Sequence, residues 1–506
     1  MTMAQDPAPA ESRFALLVAS AFVAATIPRL LTHELWRDEA WLWLVALESD
    51  SLAELFRSLA RSGQGYLFPL LCWVARHLAE SPRAMQLVNL AAAGAAAWVL
   101  ARWAPFPRSE RVLLLVGYFT FYEYAVISRH YSLGMLLIWL ACAFARERRS
   151  AIGLGIALGL ACQTTVYAFI VAIAIACGQA LERWSRRGEP APLRRRDVAI
   201  GAALGLAGAI AGLVQLMPSE GTSFAPWWRT AWDPEHALHV LRVPWRAFLP
   251  LSPPEVPFWN RHLLDGLPRW QAAGGAALLA VVTAVVARSR AALATLGIGA
   301  AGLLLFAYAK FVGETRHAGH LWLLFVAALW LGAGPKAGRE APSWRPSVFR
   351  LLLIAQCGAA AFASWVDLRH PFSNATAAAR LLSQPDLAGL PLLGHREPPV
   401  ASVALALGRG LYSPSRGVLA THPDWGPRQR EVGDPELRCI ARAFSRREGS
   451  DVVLVMNRPL PAWDEVDGVG AVTGSICRSE DYHLYRMRLG RLAATEEAAG
   501  CGAGSR

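Results

Sequence analysis

Residues 14–43 read FALLVASAFVAATIPRLLTHELWRDEAWLW. The first part, Phe14 to Leu31, holds a single charge, Arg29. A hydrocarbon core takes ~20 apolar residues to cross as a helix, and only a helix satisfies the backbone of a lone segment there. The run has no basic n-region and no convincing small-x-small cleavage site. It therefore reads as an uncleaved first span rather than a signal peptide. A polar loop follows at once, in which two adjacent acids, Asp38 and Glu39, sit among Trp36, Trp41 and Trp43.

The same alternation of apolar run and short charged loop continues to Trp365. Spans are expected near 14–31, 84–101, 111–127, 132–145, 151–165, 167–182, 198–216, 271–287, 291–309, 318–334 and 348–365. Only 17% of the 506 residues are charged, against 54% hydrophobic, well below the ~25% charge of soluble chains. After Trp365 no run of that length recurs. The expected organisation is an α-helical polytopic membrane domain, residues 1–365, with about eleven spans and outer juxtamembrane helices. A C-terminal α/β or α+β soluble domain, residues 366–506, completes it.

Charge sets the orientation. With the N-terminus inside, the cytoplasmic segments (102–111, 146–149, 182–197, 288–290 and 336–350) hold 18 Lys/Arg against 6 Asp/Glu. The opposite loops (32–83, 122–131, 217–269 and 310–317) hold 13 against 14. This is the positive-inside pattern, and it accounts for the net charge of +12 without nucleic acid as a partner. Tyr66–Leu78 is apolar but too short to span. Counting it as a span would turn the basic clusters outward, so it reads as a juxtamembrane or re-entrant helix. An odd span number then places the C-terminal domain outside the cytoplasm.

Three constellations fall in outer loops. Asp38 and Glu39 are paired carboxylates beside apolar surface, a setting that raises proton affinity and suits a general base. The bland reading is a polar loop with interfacial Trp anchors. Tyr122–Tyr131 contains Arg129, His130 and Tyr131, a compact donor set whose guanidinium fork fits phosphate. Lys310–His320 gathers Lys310, Arg316, His317 and His320 around Glu314. The bland reading of both is a set of snorkelling interfacial cations. His317 and His320 have i,i+3 spacing, but no third metal ligand is evident. The loop 217–269 adds Pro226–Asp233, rich in Trp, then the amphipathic stretch His236–Leu251 and Pro257-Phe-Trp259. Such aromatics stack on sugars and also anchor at headgroups.

Together these motifs resemble the integral-membrane glycosyltransferases of the GT-C fold, nearest to protein O-mannosyltransferases and lipid A aminoarabinose transferases, in a bacterial member. The matching elements are Asp38-Glu39 after the first span, a loosely fitting Gly65-Tyr-Leu-Phe-Pro-Leu-Leu71 juxtamembrane segment, and Arg129-His-Tyr131. The family's paired prolines and preceding charged residue are missing from the juxtamembrane segment, with Gln64 nearby. Glu314-Thr-Arg-His317 looks like an Arg-His loop of related bacterial proteins.

The resemblance implies an inverting glycosyltransferase in the bacterial inner (plasma) membrane. Its donor would be a polyprenyl-phosphate sugar. Its acceptor would be an extracytoplasmic glycan, lipid or protein, and membrane lipid would surround it. Asp38 or Glu39 would be the base, and one sequence does not separate them. Arg129, Tyr131, Lys310, Arg316 and His317 would bind the donor phosphate. No metal-ligand set is assigned, no cofactor is certain, and dependence on a divalent metal stays open.

Two other functions fit the same cations. A transporter or flippase for a lipid-linked glycan should need polar residues through its spans, and these spans are nearly charge-free. A non-catalytic assembly protein would not need Asp38-Glu39 and Arg129-His-Tyr131 together.

In the tail, Val400–Leu407, Val452–Met456 and His483–Met487 read as strands and Pro435–Ser445 as a helix. Outside the cytoplasm, Cys439 and Cys477 are expected to pair. The topology has a direct test. A periplasmic reporter fused after residue 370 should be active and one fused after Arg196 inactive, and the reverse pattern would overturn the scheme.

Overall fold

A computed structural model describes residues 9–146, 150–186, 193–217, 219, 221–222, 228–333 and 344–492. The remainder of the basic loops at 147–149, 187–192 and 334–343, and the start of the aromatic stretch at 226–227, lie outside the described residues. In chain order the helices are α1 (Pro9–Thr32), α2 (Arg37–Glu48), α3 (Leu52–Leu59), α4 (Leu67–Arg76), α5 (Arg83–Trp103), α6 (Arg108–Leu115), α7 (His130–Ala145), α8 (Ala151–Ala161), α9 (Val166–Ser185) and α10 (Arg195–Leu216). They continue as α11 (Pro234–Val240), α12 (Val243–Phe248), α13 (Pro268–Val286), α14 (Arg290–Ala309), α15 (Thr315–Gly332), α16 (Trp344–Asp367), α17 (Ala375–Leu382), α18 (Glu397–Leu407) and α19 (Asp434–Glu448).

Helical structure occupies every predicted span. Among the described residues, seven helices (α1, α5, α9, α10, α13, α14 and α16) are long and apolar enough to cross a membrane. The protein is a multi-pass membrane protein. The juxtamembrane segment is the ten-residue α4.

The chain divides into two compact units. One comprises Met1–Leu31, Gly63–Pro218 and Pro226–Val366; the other comprises Thr32–Ser62, Ser219–Ala225 and Asp367–Arg506.

In the first unit, α8 and α10 pack through glycine. A Cβ on Gly155 would run into the Gly201 carbonyl, one on Gly201 into the Ala151 carbonyl, and one on Gly208 into the backbone of Gly159. Small residues that let backbones touch are a main source of helix association in lipid. The expected span 111–127 is not one helix. It ends as α6 and continues as a π-helical turn, Tyr118–Glu123. The aromatic run there buries Tyr118, Phe119, Tyr122 and Tyr124, and polar side chains supply the donors that its broken ladder lacks. Arg29 Nη1 donates to the Phe121 carbonyl at 2.9 Å, Thr120 Oγ1 to the Leu114 carbonyl at 2.5 Å, and Asn89 Nδ2 to the Tyr124 and Ala125 carbonyls at 3.2 and 3.0 Å.

The second unit is built on a six-stranded mixed sheet: β1 (Leu392–His395), β2 (Leu411–Ser413), β3 (Val418–Ala420), β4 (Val452–Met456), β5 (Val466–Val472) and β6 (Tyr482–Met487). The spatial order is β3-β2-β1-β4-β6-β5, with β1 parallel to both β2 and β4 and the other pairs antiparallel. Every residue of β1 and β4 is buried, as expected of strands covered on both faces. Ala378, Leu382, Val403, Val453, Val455 and Leu484 form the core on one face. Leu437, Ala441, Phe444, Leu454, Met456 and Met487 form it on the other. The second unit is thus a helix–sheet–helix sandwich.

Two expectations for the tail are corrected. Val400–Leu407 is not a strand but most of α18. Prolines at its first turn and Gly408 in the left-handed conformation at its end frame a helix, and burial nearly all round hides its period. Cys439 and Cys477 do not pair with each other. Cys477 is a free buried thiol and Cys439 is disulfide-bonded. Cys439 rides on α19, whereas Cys477 is fixed in the turn before β6 by its N–H to the Phe372 carbonyl at 3.0 Å.

Gly208→Leu should cost more than the ~1–3 kcal/mol of ordinary overpacking, because backbone cannot move aside. Gly297→Leu, where no atom lies within 4 Å of a new Cβ, is the control. Thermal unfolding of the detergent-purified variants checks this.

Candidate functional site

Each unit holds one group of the residues singled out above. In the second unit the segment 32–62 packs as part of the sandwich, with α2 lying on α18. Trp36, Trp41 and Trp43 are 1%, 2% and 0% exposed, so they are core residues and not surface anchors. The Trp41 indole donates to the Pro423 carbonyl at 3.0 Å, and Arg61 Nη1 donates to both Asp424 oxygens at 2.9 Å.

The two acids differ in kind. Glu39 is fully buried. Its Oε2 lies 3.0 Å from His33 Nε2 and accepts the N-cap Trp36 N–H at 3.3 Å, the back-reaching half of a capping box on α2. His33 Nδ1 is 3.4 Å from Asp367 Oδ2. Burial works against charge on His33, but the Glu39 and Asp367 carboxylates outweigh it and raise its pKa to about 10. The arrangement is a buried carboxylate–imidazolium–carboxylate row. Asp38, one residue earlier, has a side chain 27% exposed, with Oδ1 3.8 Å from Arg37 Nε. It sits in the first turn of α2, where the helix dipole favours a carboxylate.

A third acid, absent from the sequence reading, anchors that turn. Glu480 is fully buried. Its Oε1 accepts the Arg37 N–H at 3.2 Å, and its Oε2 accepts from Ser373, Ser402 and Tyr482 hydroxyls at 3.0, 2.9 and 2.7 Å. Burial raises its pKa to about 6 against the pull of these donors. It lies 443 positions from Arg37, and no local pattern in the sequence marks it.

In the first unit the other two motifs converge. Arg129 is the N-cap residue of α7, buried, with Nη2 donating to Gln64 Oε1 at 3.2 Å. Tyr131 stacks on Tyr124 at 5.3 Å and meets the His317 and His320 rings at 6.1 and 5.7 Å. The Tyr124 hydroxyl donates to the Arg316 carbonyl at 2.7 Å. Tyr167 stacks on His317 at 4.8 Å. His317 Nδ1 accepts the Glu314 N–H at 2.8 Å, so a neutral ring carries its proton on Nε2. Arg129 and Arg316 are both close enough to act electrostatically on His317.

Arg316 lies over the Trp259 ring at 5.2 Å. The Trp259 indole and the Tyr118 hydroxyl both donate to Glu123, at 3.2 and 2.8 Å. Lys310 stands over Trp228 at 5.7 Å, joined to the group through Phe306 and Tyr167. Glu123 and Trp259 lay within quoted motifs but were not assigned roles. Tyr167 carried no local signal. The cluster combines guanidinium forks, a neutral imidazole donor and aromatic faces, a set suited to an anion attached to an apolar or sugar body. Among the described residues, no three His, Cys, Asp or Glu side chains converge as a metal-ligand set.

No protein-family model matches the chain, and no curated protein matches its sequence. Its fold is similar to that of ArnT from Cupriavidus metallidurans in the apo state, with a TM-score of 0.50 and 14% identity over 93% of this chain and 98% of that one. The crystal structure of ArnT from the same organism bound to undecaprenyl phosphate aligns with a TM-score of 0.46 and 14% identity, over 95% of this chain and 98% of that one. The expected architecture, an α-helical polytopic membrane domain followed by a C-terminal α/β or α+β domain, is the fold observed.

The His33 row predicts a pH dependence. A folded pKa of about 10 against an ordinary 6.5 gives stability that is full below pH ~6.5 and lost as pH rises through ~10. The melting temperature of wild type should fall between pH 7 and 10. His33→Gln should be less stable at pH 7 and lose much less over the same range.

Proposed function

We propose that this protein is an inverting glycosyltransferase that moves a sugar from a polyprenyl-phosphate donor to an extracytoplasmic acceptor, at the outer face of a bacterial inner membrane. The observation that carries the reading is the convergence of Arg129-His-Tyr131 with Arg316-His317 into one cationic, aromatic-walled cluster. Neither motif alone distinguishes a phosphate site from interfacial anchoring. Arg129 is buried beside Gln64 and Arg316 lies over the Trp259 ring, a setting that suits a phosphate better than exposed headgroup anchoring does. The GT-C fold is consistent with this use, although fold alone does not assign a reaction.

The roles follow from chemistry. Asp38 accepts the proton of an acceptor hydroxyl. That oxygen attacks the anomeric carbon and forms the new C–O bond from the face opposite the phosphate. The bond from anomeric carbon to phosphate oxygen breaks, and polyprenyl phosphate leaves with the electron pair. Arg129 and Arg316 stabilise the charge gathering on it, with the His317 Nε2 proton and the Tyr131 hydroxyl as further donors and Lys310 at the margin. Asp38 is preferred to Glu39 as base because Glu39 is committed to the Trp36 N–H and His33. Glu39 then holds the first turn of α2 in place.

The test is transfer by purified protein in lipid, with a polyprenyl-phosphate sugar and native acceptor. Asp38→Asn should lower turnover ~10²–10⁴-fold with the melting temperature nearly unchanged. Glu39→Gln should lower the melting temperature as well as turnover. If both variants keep near-wild-type turnover, the base is not in this segment.

A further inference from the structure

The sandwich contains a second site-like feature, away from the α2 first turn. β1 is flanked by parallel strands on both sides. The chain leaves it through α18 to reach β2 on one side, and later passes through α19 to reach β4 on the other. The two helices lie on opposite faces of the sheet. This is a topological switch point, and ligands of open α/β sheets bind in the crevice outside the carboxyl ends of strands at such a point.

A cavity of about 250 Å³ occupies that place, lined by His395, Arg396, Glu431, Gly433, Asp434 and Arg458. His395 ends β1 opposite Met456, the end of β4. Arg458 follows β4 closely, and Gly433 is the N-cap residue of α19.

The lining states what it would hold. His395 is 6% exposed, and its ring lines the cavity. Burial, with Arg458 and Arg396 nearby, pushes its pKa down to about 4. The neutral ring offers one donor and one acceptor. Next to the cavity wall, Asn457 Oδ1 is buried without a partner, and the Asn457 N–H donates to the His395 carbonyl at 3.3 Å. The charges cancel in pairs: Arg396 with Glu431 at 3.1 Å, and Arg458 with Asp434. Balanced charge gives an anion no advantage. Paired planar donors and acceptors, with the buried Asn457 oxygen unsatisfied beside them, suit hydroxyl groups, each of which donates and accepts. The volume lies below the ~300–1,000 Å³ of drug-sized sites, in keeping with a single sugar ring.

We propose that this crevice is a carbohydrate subsite that takes one neutral pyranose residue, held by His395, Asn457 and the two arginine–carboxylate pairs. Its assignment to the acceptor, making that acceptor a glycan, rests on the transferase reading. The binding itself does not.

The experiment uses the full chain in nanodiscs and saturation-transfer NMR. The probes are methyl glycosides of glucose, galactose, mannose and N-acetylglucosamine, with inorganic phosphate as the anionic alternative. At least one glycoside should bind saturably in the millimolar range. Affinity should fall tenfold or more in His395→Phe and in the near-isosteric Asn457→Leu. Asn457→Asp is the variant least liable to misfold and should also weaken binding, and matched melting temperatures exclude unfolding. Silence from all glycosides, binding indifferent to these variants, or phosphate binding alone would overturn the subsite. Repeating the titration in Asp38→Asn separates the two readings. Glycoside binding should persist there even if turnover is lost or was never present.

Discussion

A backbone carbonyl in a membrane interior must find a donor, because lipid offers none. The segment between α6 and α7 breaks this rule locally and is repaired by side chains. Arg29, Asn89 and Thr120 take up carbonyls that an unbroken helix would have bonded itself. The repair has consequences for the candidate site. Because the chain stops being an α-helix at Val116 and resumes it at His130, Arg129 becomes an N-cap residue instead of a residue along a helix side. Glu123 turns inward to meet Tyr118 and Trp259, and Trp259 in turn carries Arg316 on its face. π-helical turns recur at functional sites, and here one places two sequence motifs in a single cluster.

The second unit shows the same economy. Adjacent acids at the start of α2 are given different surroundings by burial alone. Glu39 is enclosed with His33 and Asp367, while Asp38 keeps access to water. Glu480 reaches the Arg37 N–H from 443 positions away in the chain, so the first turn of α2 is positioned by residues that fold with the sheet. Neighbouring carboxylates with different environments are a recurrent way to divide catalytic from positioning duties.

Much of the membrane part was legible because its physics is one-dimensional. Apolar length marked where helices form, and seven of those helices among the described residues are long and apolar enough to cross a membrane. What the pattern missed was the interruption at Val116, since a π-turn keeps the apolar character of its helix. In the soluble part, Val452–Met456 and His483–Met487 were readable as strands, and Pro435–Ser445 as a helix. Val400–Leu407 was not, because a helix buried nearly all round shows no amphipathic period. Pro398, Pro399 and Gly408 were the signals that would have corrected it. Arg129, Tyr131, Arg316 and His317 were visible as chemistry in loops, but their meeting depends on contacts between distant segments. Glu480 and His395 were invisible for the same reason: single polar residues beside strands acquire meaning only from what the topology brings near them.

The central claim is that the Arg129–Arg316–His317 cluster holds the phosphate of a lipid-linked donor. The most direct measurement is equilibrium binding of undecaprenyl phosphate to the purified protein, compared with Arg129→Lys, Arg316→Lys and the double variant. Lysine keeps the charge and loses the fork. The account predicts saturable binding by wild type, weakened several-fold by each single change and more by both, with undecaprenol binding unaffected. Equal affinity across all four proteins, or equal affinity for the alcohol and the phosphate, would contradict it.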